Sequence, residues 1–223
     1  MTYLAAFDWN GTLFDDTQAT LTATNACMRS FGRPEIDLPT LQETFSFPLI
    51  HFYERMGVAI DDYLRRAEEE GNLFLNIYER AAGTCGVMDG AFDLLRWLKD
   101  AGVHCMILSN HLQPHLDADV ERLGIAPYMQ TISGNETKAT ITQGLSKQKR
   151  LTEYMEAHGF APEKTFIIGD SHEEAELARR LGILGISIAG GLLSAARLEK
   201  YKADYIIEKL HEVRPILEER WKL

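Results

Sequence analysis

Cysteine is scarce in this sequence, and basic residues are outnumbered. The three cysteines, Cys27, Cys85 and Cys105, are odd in number and form no C-x-x-C pair, so free thiols and a reducing compartment are expected. Cys105 lies in an apolar run and reads as core filler. No apolar run approaches the ~20 residues that a membrane-spanning helix needs. The first residues include Asp8 and lack a basic stretch, so no signal peptide is expected and the cytoplasm is the default location. With 23 basic against 33 acidic residues, the net charge is −10. That balance argues against broad binding to nucleic acid or to an anionic membrane, both of which call for basic surface. A small anionic substrate stays compatible with it, because a divalent cation and a few donors can reverse the field inside one cleft. Nothing in the sequence indicates an oligomeric state.

What is present describes an ordinary globular chain. Its 223 residues, 45% hydrophobic and 25% charged, suit one large domain or a domain carrying a smaller insert. Tyr3 to Phe7 is a short, nearly continuous apolar run that ends at Asp8 and is followed by Asn10-Gly11. A run of that kind suits a strand buried on both faces of a parallel sheet. From about residue 15 to 82, apolar positions recur at helical spacing, as in Leu21, Met28 and Phe31, or Leu73, Ile77 and Ala81, and no strand is expected there. After Gly83, strands alternate with helices. Strands are expected over 103–108, 129–132, 165–168, 184–188 and 204–207, and helices over 91–100, 114–123, 147–157 and 173–181. The alternation predicts an α/β fold, a parallel sheet with helices on its faces. The helical stretch leaves this unit after the first strand and rejoins it near residue 85.

In an open α/β sheet, ligands bind beyond the carboxyl ends of the strands. The side chains expected at those ends are Asp8, Asn10 and Thr12, then Ser109 and Asn110, then Asp170 with Glu173 and Glu174. Lys147 opens a helix between the last two groups. Each alone has a plain structural explanation: Ser109 and Asp170 as helix caps, Lys147 as a solvated lysine, Glu173 and Glu174 as complements to a helix dipole. As a set they are a coherent phosphoryl-transfer site. Two carboxylates with a carbonyl oxygen and water suit octahedral Mg²⁺. Lys147 and the Ser109 hydroxyl can hold phosphate oxygens, and the turn at Gly11-Thr12 can offer backbone N–H groups to the same anion. Asp8 is then free to attack phosphorus and form an aspartyl-phosphate.

The four motifs, Phe7-Asp8-Trp9-Asn10-Gly11-Thr12-Leu13, Ile107-Leu108-Ser109-Asn110, Lys147 and Ile168-Gly169-Asp170-Ser171-His172-Glu173-Glu174, resemble those of the haloacid dehalogenase superfamily, chiefly its phosphoglycolate-phosphatase-like branch. The resemblance covers nearly the whole chain. It implies a Rossmann-like core over residues 1–15 and 85–223, with a helical cap over 16–84 that closes on the site and selects the substrate. It implies Asp8 as nucleophile, Mg²⁺ held by Asp8, Asp170 and the backbone carbonyl of Asn10, and phosphate held by Ser109 and Lys147. Thr12 and Asn110 join the substrate-binding set, and Glu173 and Glu174 the supporting one. Lys149 and Lys138 are weaker candidates for the role of Lys147. The expected activity is hydrolysis of a small phosphorylated metabolite.

One position departs from the family pattern. Phosphatases of this kind usually carry a second Asp two residues after the nucleophile, which protonates the leaving alkoxide and then activates water. Here that residue is Asn10, and an amide cannot exchange a proton in that way. General acid–base help is worth ~10² to 10⁴ in rate, so slow turnover is expected unless Asp15, Asp16, His111 or His172 substitutes. Trp9-Asn10 also resembles the phosphonate-cleaving relatives, which use a cap lysine, but residues 16–84 contain no lysine. Two other readings stay open: a phospho-ligand-binding or regulatory protein with little turnover, and a carbon–halogen hydrolase of the same superfamily. Within the helical stretch, His51, Arg55, Arg65 and Arg66 are the residues placed to meet an anion, and Phe45, Phe47, Phe52 and Tyr53 are expected in a core.

Overall fold

The computed structural model describes residues 2–46, 49–69, 73–136 and 146–222; Phe47 and Lys138 fall outside them. Among these described residues, six strands form one sheet: β1 Leu4–Phe7, β2 His104–Leu112, β3 Thr131–Asn135, β4 Thr165–Gly169, β5 Leu184–Ile188 and β6 Tyr205–Ile207. All pairings are parallel and the order is β3-β2-β1-β4-β5-β6. This is the α/β parallel sheet that the strand–helix alternation predicts, in the Rossmann-like form that the family resemblance implies. Chain order reverses direction at β1, between β2 and β4, so the carboxyl ends of β1 and β4 flank the switch point where such sheets bind ligands.

Strict alternation along the strands builds two cores. Ala5, Phe7, Cys105, Ile107, Phe166 and Ile168 face one side of the sheet, while Leu4, Ala6, Met106, Leu108 and Ile167 face the other. The first face packs on α6 Ala91–Asp100, α7 Gln113–Arg122 and the terminal helix α11 Val213–Trp221; the second packs on α8 Ser146–His158 and α9 His172–Leu181. A short helix, α10 Ala195–Leu198, follows β5. With both faces covered, β1 has no exposed position, which is why its sequence reads as a continuous apolar run. Cys105 is buried in this core and its thiol is pushed up to about 12 by burial.

Among the described residues, five helices lie between β1 and α6: α1 Thr17–Ser30, α2 Leu38–Thr44, α3 Leu49–Arg55, α4 Ile60–Glu69 and α5 Leu73–Ala82. They enclose a third core that includes Met28, Leu41, Phe45, Phe52, Tyr53 and Val58. The chain leaves and re-enters the sheet unit side by side, with Asp15 N–H donating to Gly86 O and Met88 N–H donating to Leu13 O. Among the described residues, no helix is long and apolar enough to cross a membrane.

Two strands depart from the sequence expectation by more than one residue. β2 does not stop at Ser109 but runs to Leu112, and β3 spans Thr131–Asn135 rather than 129–132. Between Leu108 and Leu112 the β2–β3 register slips. A bulge there re-aims Ser109, Asn110 and His111 without ending the strand. The polar side chains it carries hide the strand from any reading based on hydrophobic alternation.

Phe52 fills the third core, whereas Leu64 on α4 is 48% exposed. Phe52→Ala is expected to lower unfolding free energy in urea by ~3–5 kcal/mol, and Leu64→Ala by under about 0.5 kcal/mol. Equal losses would contradict this packing.

Candidate active site

The centre of the site is a buried ion cluster. The Lys147 ammonium, on the first turn of α8, donates to Asp8 Oδ1 at 2.8 Å and to Glu174 Oε1 at 2.6 Å. Glu173 stands 3.8 Å from it. Burial works against charging Lys147, yet Asp8, Glu174 and Glu173 outweigh it and hold the group protonated, well above its usual range. Burial also pushes the Glu174 carboxyl up, but Lys147 and the Ser171 hydroxyl, which donates to Glu174 Oε2 at 2.7 Å, bring it below its usual range. Asp8 fares differently. Burial raises it to about 7 despite Lys147, and the nearby Glu174 charge adds to the rise.

Asp170 follows β4 and lies beside Asp8. Burial and the Asp8 charge hold its carboxyl well above the ordinary carboxylate range. One oxygen, Oδ2, accepts from Leu192 N–H at 2.7 Å. Gly11 and Gly191 press against the same carboxylate. A Cβ at Gly11, whose φ is +65°, would lie 2.2 Å from Asp170 Oδ2. Glycine is therefore required at position 11 both for its left-handed backbone and for this approach. Asp170 is not the cap of α9; Ser171 is, accepting from Glu173 N–H. Two buried carboxylates raised above their usual range, with one ammonium already shared, make an all-oxygen donor set short of positive charge. That chemistry fits a hard divalent cation.

Three hydroxyl and amide groups complete the surroundings. Ser109 is fully buried, and its Oγ accepts from His111 N–H at 3.0 Å, leaving its O–H to donate elsewhere. Thr12 Oγ1 is buried with no hydrogen-bond partner among the described residues. Asn110 is engaged with the acidic group: its Nδ2 donates to Glu173 Oε2 at 2.7 Å, and its carbonyl accepts from Asn135 Nδ2. Arg150, one turn after Lys147, donates to the carbonyls of Ser109, Ser133 and Gly134. It pins the ends of β2 and β3 under the site. Its i+3 spacing from Lys147 on one helix face is the signal that marks it. Lys149 points away and pairs at 3.7 Å with Glu153 in solvent.

Asn10 is held by a network that includes one residue with no sequence signal. Its Nδ2 donates to Asp16 Oδ2 at 2.8 Å and to the Tyr78 hydroxyl at 2.6 Å, and Tyr78 donates to Asp16 Oδ2 at 2.7 Å. Gly11 N–H donates to Asp16 Oδ1. Burial raises the Asp16 carboxyl against all three donors. Of Asp15, Asp16, His111 and His172, Asp16 alone bonds to Asn10 among the described residues. Asp15 is exposed, His172 stacks near Tyr201, and His111 faces Tyr78 and Glu79.

Side chains of the helices between β1 and α6 meet the strand ends beside the acidic cluster. Tyr78 on α5 meets Asn10, and Gln42 on α2 donates to the carbonyls of Gly190 and Gly191, next to Asp170. The four basic candidates of this segment are elsewhere. His51 pairs with Glu54, Arg55 bonds to Thr44 O and Ser46, Arg65 pairs with Asp62, and Arg66 lies over Phe31.

Comparison with known proteins finds phosphatases among the relatives of this chain. The chain is 23% identical over 216 residues to phosphoglycolate phosphatase 1 of Pseudomonas aeruginosa, covering 95% of this chain and 78% of the relative. It is 23% identical to a phosphoglycolate phosphatase of Synechococcus elongatus, covering 91% of each. The solved structure of a haloacid dehalogenase-like hydrolase family protein from Streptococcus pneumoniae superposes with a TM-score of 0.77 at 22% identity, over 97% of this chain and 98% of that one. The family description "Haloacid dehalogenase-like hydrolase" matches residues 5–188, so the chain belongs to the haloacid dehalogenase-like hydrolase family.

Proposed function

We propose that this protein is a Mg²⁺-dependent phosphatase of a small phosphorylated metabolite, slow because Asn10 stands where a proton-transfer group is needed. The observation that carries the reading is the pairing of Asp8 with a buried Lys147 beside Asp170 at the sheet's switch point. Names of relatives such as phosphoglycolate phosphatase support a phosphomonoester as substrate.

In this reading Asp8 attacks phosphorus with a carboxylate oxygen, the ester P–O bond breaks, and the alkoxide leaves. Asp8, Asp170 and the Asn10 carbonyl would hold Mg²⁺, which supplies Lewis-acid stabilisation of charge on the phosphoryl oxygens. Lys147 keeps the acidic cluster neutralised and presents its charge to the transferring group. The Ser109 and Thr12 hydroxyls, neither of which donates a hydrogen bond among the described residues, are donors suited to phosphate oxygens. Helices α1 to α5 act as the cap, with Tyr78 and Gln42 as its footholds. The alkoxide needs a proton and the aspartyl-phosphate needs an activated water. The Asn10 amide provides neither. Its hydrogens are committed to Asp16 and Tyr78, so the buried Asp16 sits one hydrogen bond from the position where the exchange should occur.

Two substitutions test this. Asp8→Asn is expected to reduce Mg²⁺-dependent hydrolysis of an aryl phosphate below about a thousandth of wild type, and chelation by EDTA should silence the wild type as well. Halide release that persists in EDTA would instead identify a carbon–halogen hydrolase. Asn10→Asp is expected to raise turnover of alkyl phosphates by ~10² to 10⁴. Placed against Asp16, the new carboxyl forms a dyad in which one member stays protonated, so the gain should be greater toward acidic pH. No gain at any pH, alongside tight Mg²⁺-dependent phosphate binding, would favour the ligand-binding reading.

A further inference from the structure

A second cluster of ligating side chains lies outside the acidic site. Glu79 on α5, His111 on the bulged end of β2 and His115 on α7 bring one ligating atom each to within 4.8 Å of one another. His115 Nδ1 is 2.9 Å from Glu79 Oε2, and His111 Nε2 is 3.6 Å from Glu79 Oε1. The rings of His111 and His115 are nearly perpendicular, with centroids 5.8 Å apart.

A simple ion pair accounts for the His115 contact but not for the other one. His111 Nε2 and Glu79 Oε1 are both buried, and neither has a hydrogen-bond partner among the described residues. The His111 side chain is only 10% exposed. Leaving two such atoms unsatisfied is costly, and the gap between them is too long for a hydrogen bond. The gap is close to the separation of two ligands on one tetrahedral ion, roughly 3.3 Å for bonds of about 2.0–2.1 Å.

We propose that Glu79, His111 and His115 form a site for a Zn²⁺-class transition-metal ion, distinct from the carboxylate site at Asp8 and Asp170. Two imidazoles and one carboxylate are the donor set of borderline metals, whereas Mg²⁺ prefers oxygen alone. His115 is 40% exposed, so the cluster is open to solvent on that side. The ion joins α5 to the sheet through β2 and α7. Because Tyr78, the residue before Glu79, bonds to Asn10 and Asp16, the metal clamps the helix that walls the nucleophile's turn.

Equilibrium dialysis of the full chain against Zn²⁺ with millimolar Mg²⁺ present tests this. The Asp170→Asn background suppresses any contribution from the acidic site. The expected result is one Zn²⁺ per chain, a raised Tm, and affinity lowered about tenfold or more by Glu79→Gln and by His115→Ala. His115 is half-exposed, so its substitution keeps the test valid if Glu79→Gln impairs folding. Absence of stoichiometric Zn²⁺, or affinity that survives His115→Ala in a protein with native circular dichroism, overturns the assignment.

Discussion

The Lys147 ammonium, nearly sealed from solvent, shares its charge between Asp8 and Glu174, and the rest of the site is arranged around that contact. Removing one partner of a buried ion pair costs ~3–5 kcal/mol. The contact ties together three separate parts of the chain: β1 through Asp8, α8 through Lys147 and α9 through Glu174. Close packing behind it is equally strict. A Cβ at Gly169 would lie 2.3 Å from Glu174 Cγ, so the strand end must be glycine for Glu174 to reach the lysine. The same bonds that hold α8 and α9 on one face of the sheet keep Asp8 aimed at its carboxyl end.

One lysine is too little positive charge for this neighbourhood. Asp8 and Asp170 are both raised by burial, and in each case a neighbouring carboxylate adds to the rise. Glu174 is lowered instead, because Lys147 and the Ser171 hydroxyl both stabilise its charged form. The imbalance is local and oriented. It is confined to oxygen atoms at the switch point, and it is what a hard divalent cation would relieve. A net charge of −10 is thus compatible with an anionic substrate under the proposed function, since the field that matters is set inside the cleft.

Much of this was legible in the sequence, for identifiable reasons. Apolar runs ending in Asp8 and Asp170 mark strands buried on both faces, and the parallel order then brings those ends together. Lys147 and Lys149 are two residues apart, and helix phase separates them: Lys147 faces the sheet and Lys149 faces solvent. The bulge in β2 was not legible, because Ser109, Asn110 and His111 look like a strand terminator when read without their partner strand. Tyr78 was not legible either. It lies 68 residues from Asn10 in sequence, in a helical stretch whose apolar spacing is that of any core helix. Only the third dimension shows its hydroxyl beside the Asn10 amide.

The central claim is that Asp8 accepts the phosphoryl group and that Asn10 stalls the proton transfers needed to complete the cycle. An aryl phosphate with a good leaving group needs no acid for the first step, so the missing carboxylate should slow only the hydrolysis of the aspartyl-phosphate. Rapid mixing with Mg²⁺ should therefore give a burst of aryl alcohol approaching one per chain, with acid-quenched protein carrying phosphate on Asp8 by peptide mass spectrometry. Linear product release without a burst, or phosphate attached anywhere other than Asp8, would contradict the account.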